Sequence, residues 1–252
     1  MRKCEDCPAK LIGNLKRYGE NSSNADYVIA LAGNPNVGKS TIFNSLTGLR
    51  QHTGNWPGKT VTRAEGAFGY KGKKFAIIDL PGTYSLLSTS EDEEVARDFI
   101  LFGKPDVTLV VVDSTKLERN LNLVLQILEI TDKVVVALNL VDELRRKKIK
   151  LDERRLSADL GVPAVPVVAR TREGLDKLLD YVLQVAAGEY VCRPKRVRKF
   201  NDKVQKAIDE LTADVKNVFP NLPNARWIAM RLLEGDAQII EAIENGELGK
   251  LY

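Results

Sequence analysis

From Tyr27 to about Ala187, short β-branched runs alternate with segments whose apolar residues recur every three or four positions. The runs predict strands at Tyr27–Ala32, Thr60–Tyr70, Lys73–Asp79, Val107–Asp113, Lys133–Leu138 and Val165–Val168. The helical spacing predicts helices at Lys39–Thr47, Glu91–Phe102, Asn120–Ile130, Asp152–Leu160 and Leu175–Ala186. The second and third strands flank Gly72, which implies an antiparallel hairpin. VTLVVVD and KVVVAL are continuously apolar, as strands covered by helices on both faces must be. The pattern as a whole predicts an α/β domain with a mostly parallel, doubly wound sheet.

The texture changes on either side. Residues 1–25 read as a polar lead-in, and residues 26–190 carry the α/β pattern. From 191 to 252 no strand run appears, and helices are expected near Asn201–Phe219, Asn224–Gly235 and Asp236–Asn245, a small all-helical subdomain. The run Arg193 to Lys199 is basic and reads either as a solvated linker or as a contact with anionic lipid headgroups.

Composition narrows the class. A hydrophobic share of 44% is that of a globular chain with a real core, and a net charge of +4 demands no nucleic-acid partner. Three cysteines, Cys4, Cys7 and Cys192, are too few for a disulfide framework and suit a reducing cytosol. The start has basic residues without an apolar stretch behind them, and no run of about 18 apolar residues follows, so neither a signal peptide nor a membrane span is expected. Cys4 and Cys7 form one C-x-x-C, readable as an unligated tail or as a redox-sensitive or metal-contacting pair. His52 reads as a surface residue.

The chemistry lies at the strand ends. Gly33, Asn34, Pro35, Asn36, Val37, Gly38, Lys39 and Ser40 fit G-x-x-x-x-G-K-[ST] between a strand and a helix. The glycines turn backbone N–H groups toward a polyphosphate, the following helix, with Thr41 in its first turn, adds its dipole, Lys39 reaches the β and γ phosphates, and Ser40 holds magnesium. Asp79-Leu80-Pro81-Gly82 gives D-x-x-G: Asp79 sits near magnesium through a water, and the Gly82 amide senses a γ-phosphate. Asn139-Leu140-Val141-Asp142 gives N-x-x-D, whose carboxylate can accept from both the ring N–H and the exocyclic amine of guanine. Adenine lacks that donor pair and would leave the carboxylate unpaired. Val168-Ala169-Arg170 falls where a loop amide would meet guanine O6. Together these motifs describe a P-loop GTPase of the Ras-like kind that binds GDP and GTP with magnesium.

Between the first helix and the second strand lies QHTGNWPGKTV, residues 51–61, expected to be a mobile loop whose threonine joins magnesium and γ-phosphate in the triphosphate state. Thr60 is the candidate, with Thr53 as rival. Trp56 reads either as a docking residue or as a plain hydrophobic anchor. Thr83 stands where some GTPases place a water-orienting glutamine, so unaided hydrolysis is expected to be slow.

GNPNVGKSTIFNSLTG (Gly33–Gly48), TGNWPGKTV (Thr53–Val61) and DLPGTYSL (Asp79–Leu86) resemble the N-terminal cytosolic G-domain of the ferrous iron transport protein B (FeoB) family. The resemblance implies that the helical tail is a dissociation-inhibitor-like domain. It also implies a partner: a membrane-embedded iron(II) permease, in the same full-length chain or separate, with this module on the cytoplasmic side of the cell membrane. Self-association is left open and no nucleic acid is expected. It further implies that Asn36 binds a stimulating potassium ion, completed by the carbonyls of Gly54 and Trp56. Lys59 departs from the small apolar residue expected before Thr60, and a cation there would alter loop closure or compete with potassium. The expected activity is thus slow, potassium-stimulated GTP hydrolysis regulating iron(II) transport. The alternative is a soluble RNA- or ribosome-associated assembly GTPase, against which stand the lack of a KH-like G-x-x-G region and of an aromatic stacking set.

Overall fold

The computed structural model describes residues 25–48, 51–56, 59–87, 90–196, 201–220, 222 and 224–245. The lead-in with Cys4 and Cys7, Pro57 and Gly58, the His52 side chain and residues 197–199 of the basic run lie outside the described residues. The chain divides into one unit running to Lys195 and a second beginning at Arg196.

In the first unit the elements follow as β1 (Tyr27–Gly33), α1 (Lys39–Thr47), β2 (Gln51–Asn55), β3 (Thr62–Tyr70), β4 (Lys73–Asp79), α2 (Glu91–Phe102) and β5 (Val107–Asp113). There follow α3 (Leu117–Ile130), β6 (Val134–Asn139), α4 (Val141–Arg146), α5 (Glu153–Leu160), β7 (Ala164–Pro166) and α6 (Leu175–Ala186). The sheet order is β2-β3-β4-β1-β5-β6-β7. β4, β1, β5, β6 and β7 are mutually parallel, while β3 runs antiparallel to β2 and β4.

Successive strand residues point to opposite faces, so the apolar runs supply two cores. Ile29, Leu31, Phe75, Ile77, Leu109, Val111, Val135 and Ala137 pack with Ile42 and Phe43 of α1 and with Leu178 and Val182 of α6. The intervening residues, among them Ala30, Ile78, Val110, Val112 and Val136, are equally buried, as are Phe99 of α2 and Leu123, Ile127 and Leu128 of α3. Covering both faces leaves only the strand ends for chemistry, and the carboxyl ends around β1 are where such sheets bind ligands.

The departures from the sequence expectation have local causes. Residues 51–55, expected as part of a mobile loop, form β2, because β3 extends an edge that pairs with them from Gln51↔Gly66 to Asn55↔Thr62. β3 begins at Thr62 rather than Thr60: the Trp56 N–H donates to the Val61 carbonyl (2.9 Å) and the Lys59 N–H to the Trp56 carbonyl (3.0 Å), closing the turn first. α3 starts at Leu117, ahead of Asn120, after a 3-10 turn at Ser114–Lys116 capped by Asp113, which accepts from the Thr115 N–H at 2.8 Å. α4 was not foreseen. It is too short to show a period, and it is framed by Asp142 and Glu143 in its first turn and Arg145 and Arg146 in its last. β7 stops at Pro166, and Val168 keeps only a bridge to Glu173.

The basic run begins as part of this unit. The Arg193 N–H donates to the Gly161 carbonyl (2.9 Å) and the Lys195 N–H to that of Leu160 (3.0 Å). Cys192, at the same edge, packs against the core, and burial pushes its thiol up from the usual range.

The second unit is helical: α7 (Asp202–Val218), α8 (Ala225–Leu233) and α9 (Ala237–Glu244). Asn201 caps α7 by accepting from the Val204 N–H at 2.9 Å. Ile208, Val215, Leu222, Trp227, Ile228 and Ile239 are among its buried apolar residues. Among the described residues no helix is long and apolar enough to cross a membrane.

Candidate functional site

β1 feeds the loop 33–38 directly into α1. A Cβ on Gly33 would stand 2.6 Å from the Val111 carbonyl oxygen of β5, so only glycine lets the loop leave the sheet this closely. Gly38 is left-handed (φ 86), and a Cβ there would strike the Asn139 amide. Asn36 is also left-handed (φ 64) and exposed. Asn34 is buried, and both polar atoms of its side chain lack a hydrogen-bond partner among the described residues. α1 has no side-chain cap and no acidic residue in its first turn, where Ser40 and Thr41 are exposed. A nine-residue helix that presents its first N–H groups without a cap favours an anion there.

The D-x-x-G strand end meets this loop. The Lys39 ammonium donates to the Asp79 carboxylate and to the Leu80 carbonyl (2.5 Å). Burial drives the Asp79 carboxyl above its ordinary range, and the Lys39 charge opposes but does not cancel the rise. Gly82 lies against Pro35: a Cβ would stand 3.4 Å from both the Pro35 Cα and N. Thr83, next to it, is buried.

On the other side, Asn139 fastens two loops. Its amide nitrogen donates to the Val37 carbonyl (2.9 Å) and its oxygen accepts from the Ala169 N–H (3.1 Å). Of the loop amides of 168–170, one of which was expected to meet guanine O6, that of Ala169 is bonded to Asn139. Val168 and Ala169 are buried. Arg170 is exposed and brings its guanidinium to 3.8 Å from Oδ2 of Asp142. Oδ1 of Asp142 is buried with no hydrogen-bond partner among the described residues. A carboxylate oxygen left without a donor is costly and is a vacant acceptor for a ligand N–H.

The loop after β2 is placed elsewhere. Thr60 Oγ1 donates to Glu91 Oε2 (2.8 Å) and Lys59 Nζ to Glu94 Oε2 (2.9 Å), both on α2. Trp56 is an anchor: only 7% exposed, it meets Phe99 edge-on with ring centroids 5.4 Å apart, and Arg63 lies over its face at 5.2 Å. Gly54 sits in the ladder opposite Arg63, and Thr53 opposite Ala64. The structure therefore brings together residues 33–41, Asp79, Gly82, Asn139, Asp142 and 168–170, and groups Thr60, Gly54 and Trp56 with β3 and α2.

Residues 27–182 match the family described as ferrous iron transport protein B, and residues 200–251 match the FeoB cytosolic helical domain. The chain belongs to the FeoB family. The Fe(2+) transport protein A/Fe(2+) transporter FeoB fusion protein of Porphyromonas gingivalis is 43% identical over 216 residues, 84% of this chain and 25% of that protein. The Fe(2+) transporter FeoB of Escherichia coli K12 is 40% identical over 212 residues, 82% of this chain and 27% of that protein. The chain thus spans about a quarter of the length of these curated FeoB relatives. Among solved structures, the cytosolic domain of the T. maritima FeoB iron transporter in a GDP form has a TM-score of 0.77 at 38% identity, covering 89% of this chain and 85% of that one. The cytosolic domain of L. pneumophila FeoB likewise has a TM-score of 0.77, at 32% identity, covering 89% of this chain and 87% of that one. The fold is accordingly that of a FeoB P-loop G-domain followed by the family's helical domain.

Sequence motifs alone did not reveal two sets of contacts in this FeoB G-domain. Ser45 Oγ donates to the Ala169 carbonyl (3.2 Å) and the Arg172 guanidinium to the Ser45 carbonyl, tying the 168–172 loop to α1. Glu91 and Glu94 hold the loop after β2. The run Ser90-Glu91-Asp92-Glu93-Glu94 was a legible signal: Ser90 caps α2 from the Glu93 N–H, and four acidic residues crowd the first turn.

Proposed function

We propose that this chain binds GDP and GTP at the loops around β1, hydrolyses GTP slowly, and serves as the cytosolic regulatory module of an iron(II) transporter. The observation that carries the base specificity is Oδ1 of Asp142, buried beside Arg170 and without a hydrogen-bond partner among the described residues. Guanine offers two adjacent N–H donors to such a carboxylate, whereas adenine leaves it unpaired at about 1.5–3 kcal/mol, roughly 10- to 150-fold in affinity. At the other end, the uncapped start of α1 and Lys39 receive the phosphates. Lys39 exchanges Asp79 and the Leu80 carbonyl for the β and γ phosphates, and the Gly82 amide, held against Pro35, faces the γ-phosphate.

Ser40 and Asp79 are hard oxygen donors that suit magnesium, and Thr60 is its third expected ligand once released from Glu91. Magnesium, when bound, neutralises charge between the β and γ phosphates. The potassium donors fit less well: Asn36 stands exposed on the phosphate loop, but Gly54 is paired with β3 and the Trp56 carbonyl accepts from Lys59. Equal rates of hydrolysis in potassium and sodium would remove that role from Asn36. Buried Thr83 supplies no water-orienting amide, consistent with slow turnover.

The transport role rests on family membership, which favours it over the RNA-associated alternative. Because the relatives are about four times longer, the permease is the proposed partner, in the same chain or separate, with this module on the cytoplasmic side. Isothermal calorimetry in magnesium buffer tests the nucleotide reading: GDP and GTP bind and ADP binds at least tenfold more weakly. Equal binding of ADP, or no heat with GDP, overturns it.

A further inference from the structure

We propose that Glu91 and the Lys59–Glu94 pair form a latch that holds the loop after β2 on helix α2 and must open before a triphosphate can engage Thr60. The proposal rests on the nucleotide reading above. Glu91 and Glu94, three residues apart on α2, and Phe99 further along the same helix each receive one residue of the loop: Thr60 on Glu91 at 2.8 Å, Lys59 on Glu94 at 2.9 Å, and Trp56 on Phe99 with ring centroids 5.4 Å apart.

Both side chains of the Lys59–Glu94 pair are largely shielded, at 28% and 21% exposed, so the pair is screened less than an ion pair in open water. The hydroxyl proton of Thr60 is spent on Glu91, and the carboxylate beside it would repel a γ-phosphate. The docked position can also be left: the indole N–H of Trp56 is buried with no hydrogen-bond partner among the described residues, so undocking returns that group to water.

The consequence follows from linkage. A ligand that needs Thr60 away from α2 is weakened by the fraction of molecules still latched, and a ligand that does not need it is unaffected. GDP, with no γ-phosphate, belongs to the second kind. Lys59 is also the residue that departs from the small apolar one expected before Thr60, so the ion-pair half of the latch is a feature of this chain.

The test measures the affinities of fluorescently labelled GDP and of a non-hydrolysable GTP analogue, both with magnesium. Five proteins are compared: the unaltered chain, Glu91→Ala, Glu94→Ala, Lys59→Ala, and the exchange Lys59→Glu with Glu94→Lys. Each single variant is expected to bind the analogue about three- to fivefold more tightly while GDP affinity stays within about twofold. The exchange, which restores an opposite-charge pair, is expected to return the ratio to the unaltered value. Lys59→Ala lies in the loop and leaves α2 intact, so it decides the matter if a helix variant fails to fold. GDP binding with an unchanged analogue-to-GDP ratio, or an exchange that does not restore it, overturns the latch alone. Absence of GDP binding overturns the nucleotide reading and the latch with it.

Discussion

Replacing Asn139 by alanine should weaken the fold and the site together, and the structure sets the scale. The side chain is 1% exposed and joins the Val37 carbonyl to the Ala169 N–H, two residues that are each 2% exposed. Truncation leaves one buried acceptor and one buried donor unpaired, at about 1–3 kcal/mol each. Water entering the vacated space recovers part of this, leaving an expected loss of about 2–4 kcal/mol. For a chain of this size that lowers the melting midpoint by roughly 5–15 °C. Trp56 reports on the unit that holds Asn139, so the melt is followed by its fluorescence with Trp227 of the helical unit replaced by phenylalanine. Loss of the tie also frees the 168–170 loop from the phosphate loop, and GDP affinity is expected to fall more than tenfold. A midpoint shift below about 2 °C with GDP affinity unchanged would refute the assignment of Asn139 as the fastener.

Two further outcomes are expected. Gly38→Ala forces a left-handed residue to carry a Cβ into the Asn139 amide. The backbone alone accounts for about 1–2 kcal/mol, so the urea midpoint should drop and GDP binding should be lost. Tyr70 is pushed up to about 12 by burial and by donating to Asp180 at 2.8 Å. Because the folded value exceeds the ordinary 10, this contribution is complete below pH 10 and is lost as the pH rises toward 12. Tyr70→Phe should therefore flatten the alkaline decline in stability over that window, and an unchanged slope would contradict the assignment.

The sheet and its flanking helices were legible because the strands are apolar on both faces and the helices keep their period. VTLVVVD has no other reading once it is followed by the amphipathic stretch of α3. The phosphate loop was legible because its glycines are dictated by contacts at Val111 and Asn139 that no larger residue tolerates. What the sequence hid was tertiary. Residues 51–55 carry weak strand propensity and become β2 only because β3 offers an edge. Trp56 gave equal grounds for docking and for anchoring until Phe99 was seen beneath it. N-x-x-D was read through the Asp142 carboxylate, and the motif gave no sign that the Asn139 amide joins Val37 to Ala169, partners about 100 and 30 residues away. The hold of Glu91 on Thr60 likewise depends on a fold that brings together residues 31 apart in sequence.

The claim that guanine is read by Asp142 is tested most directly by Asp142→Asn, titrated by calorimetry with GDP and with xanthosine diphosphate. An asparagine amide can donate to the C2 carbonyl of xanthine but cannot accept both guanine donors. The variant is therefore predicted to lose at least tenfold in affinity for GDP and to gain binding of the xanthine nucleotide. Undiminished GDP binding by the variant would contradict the account.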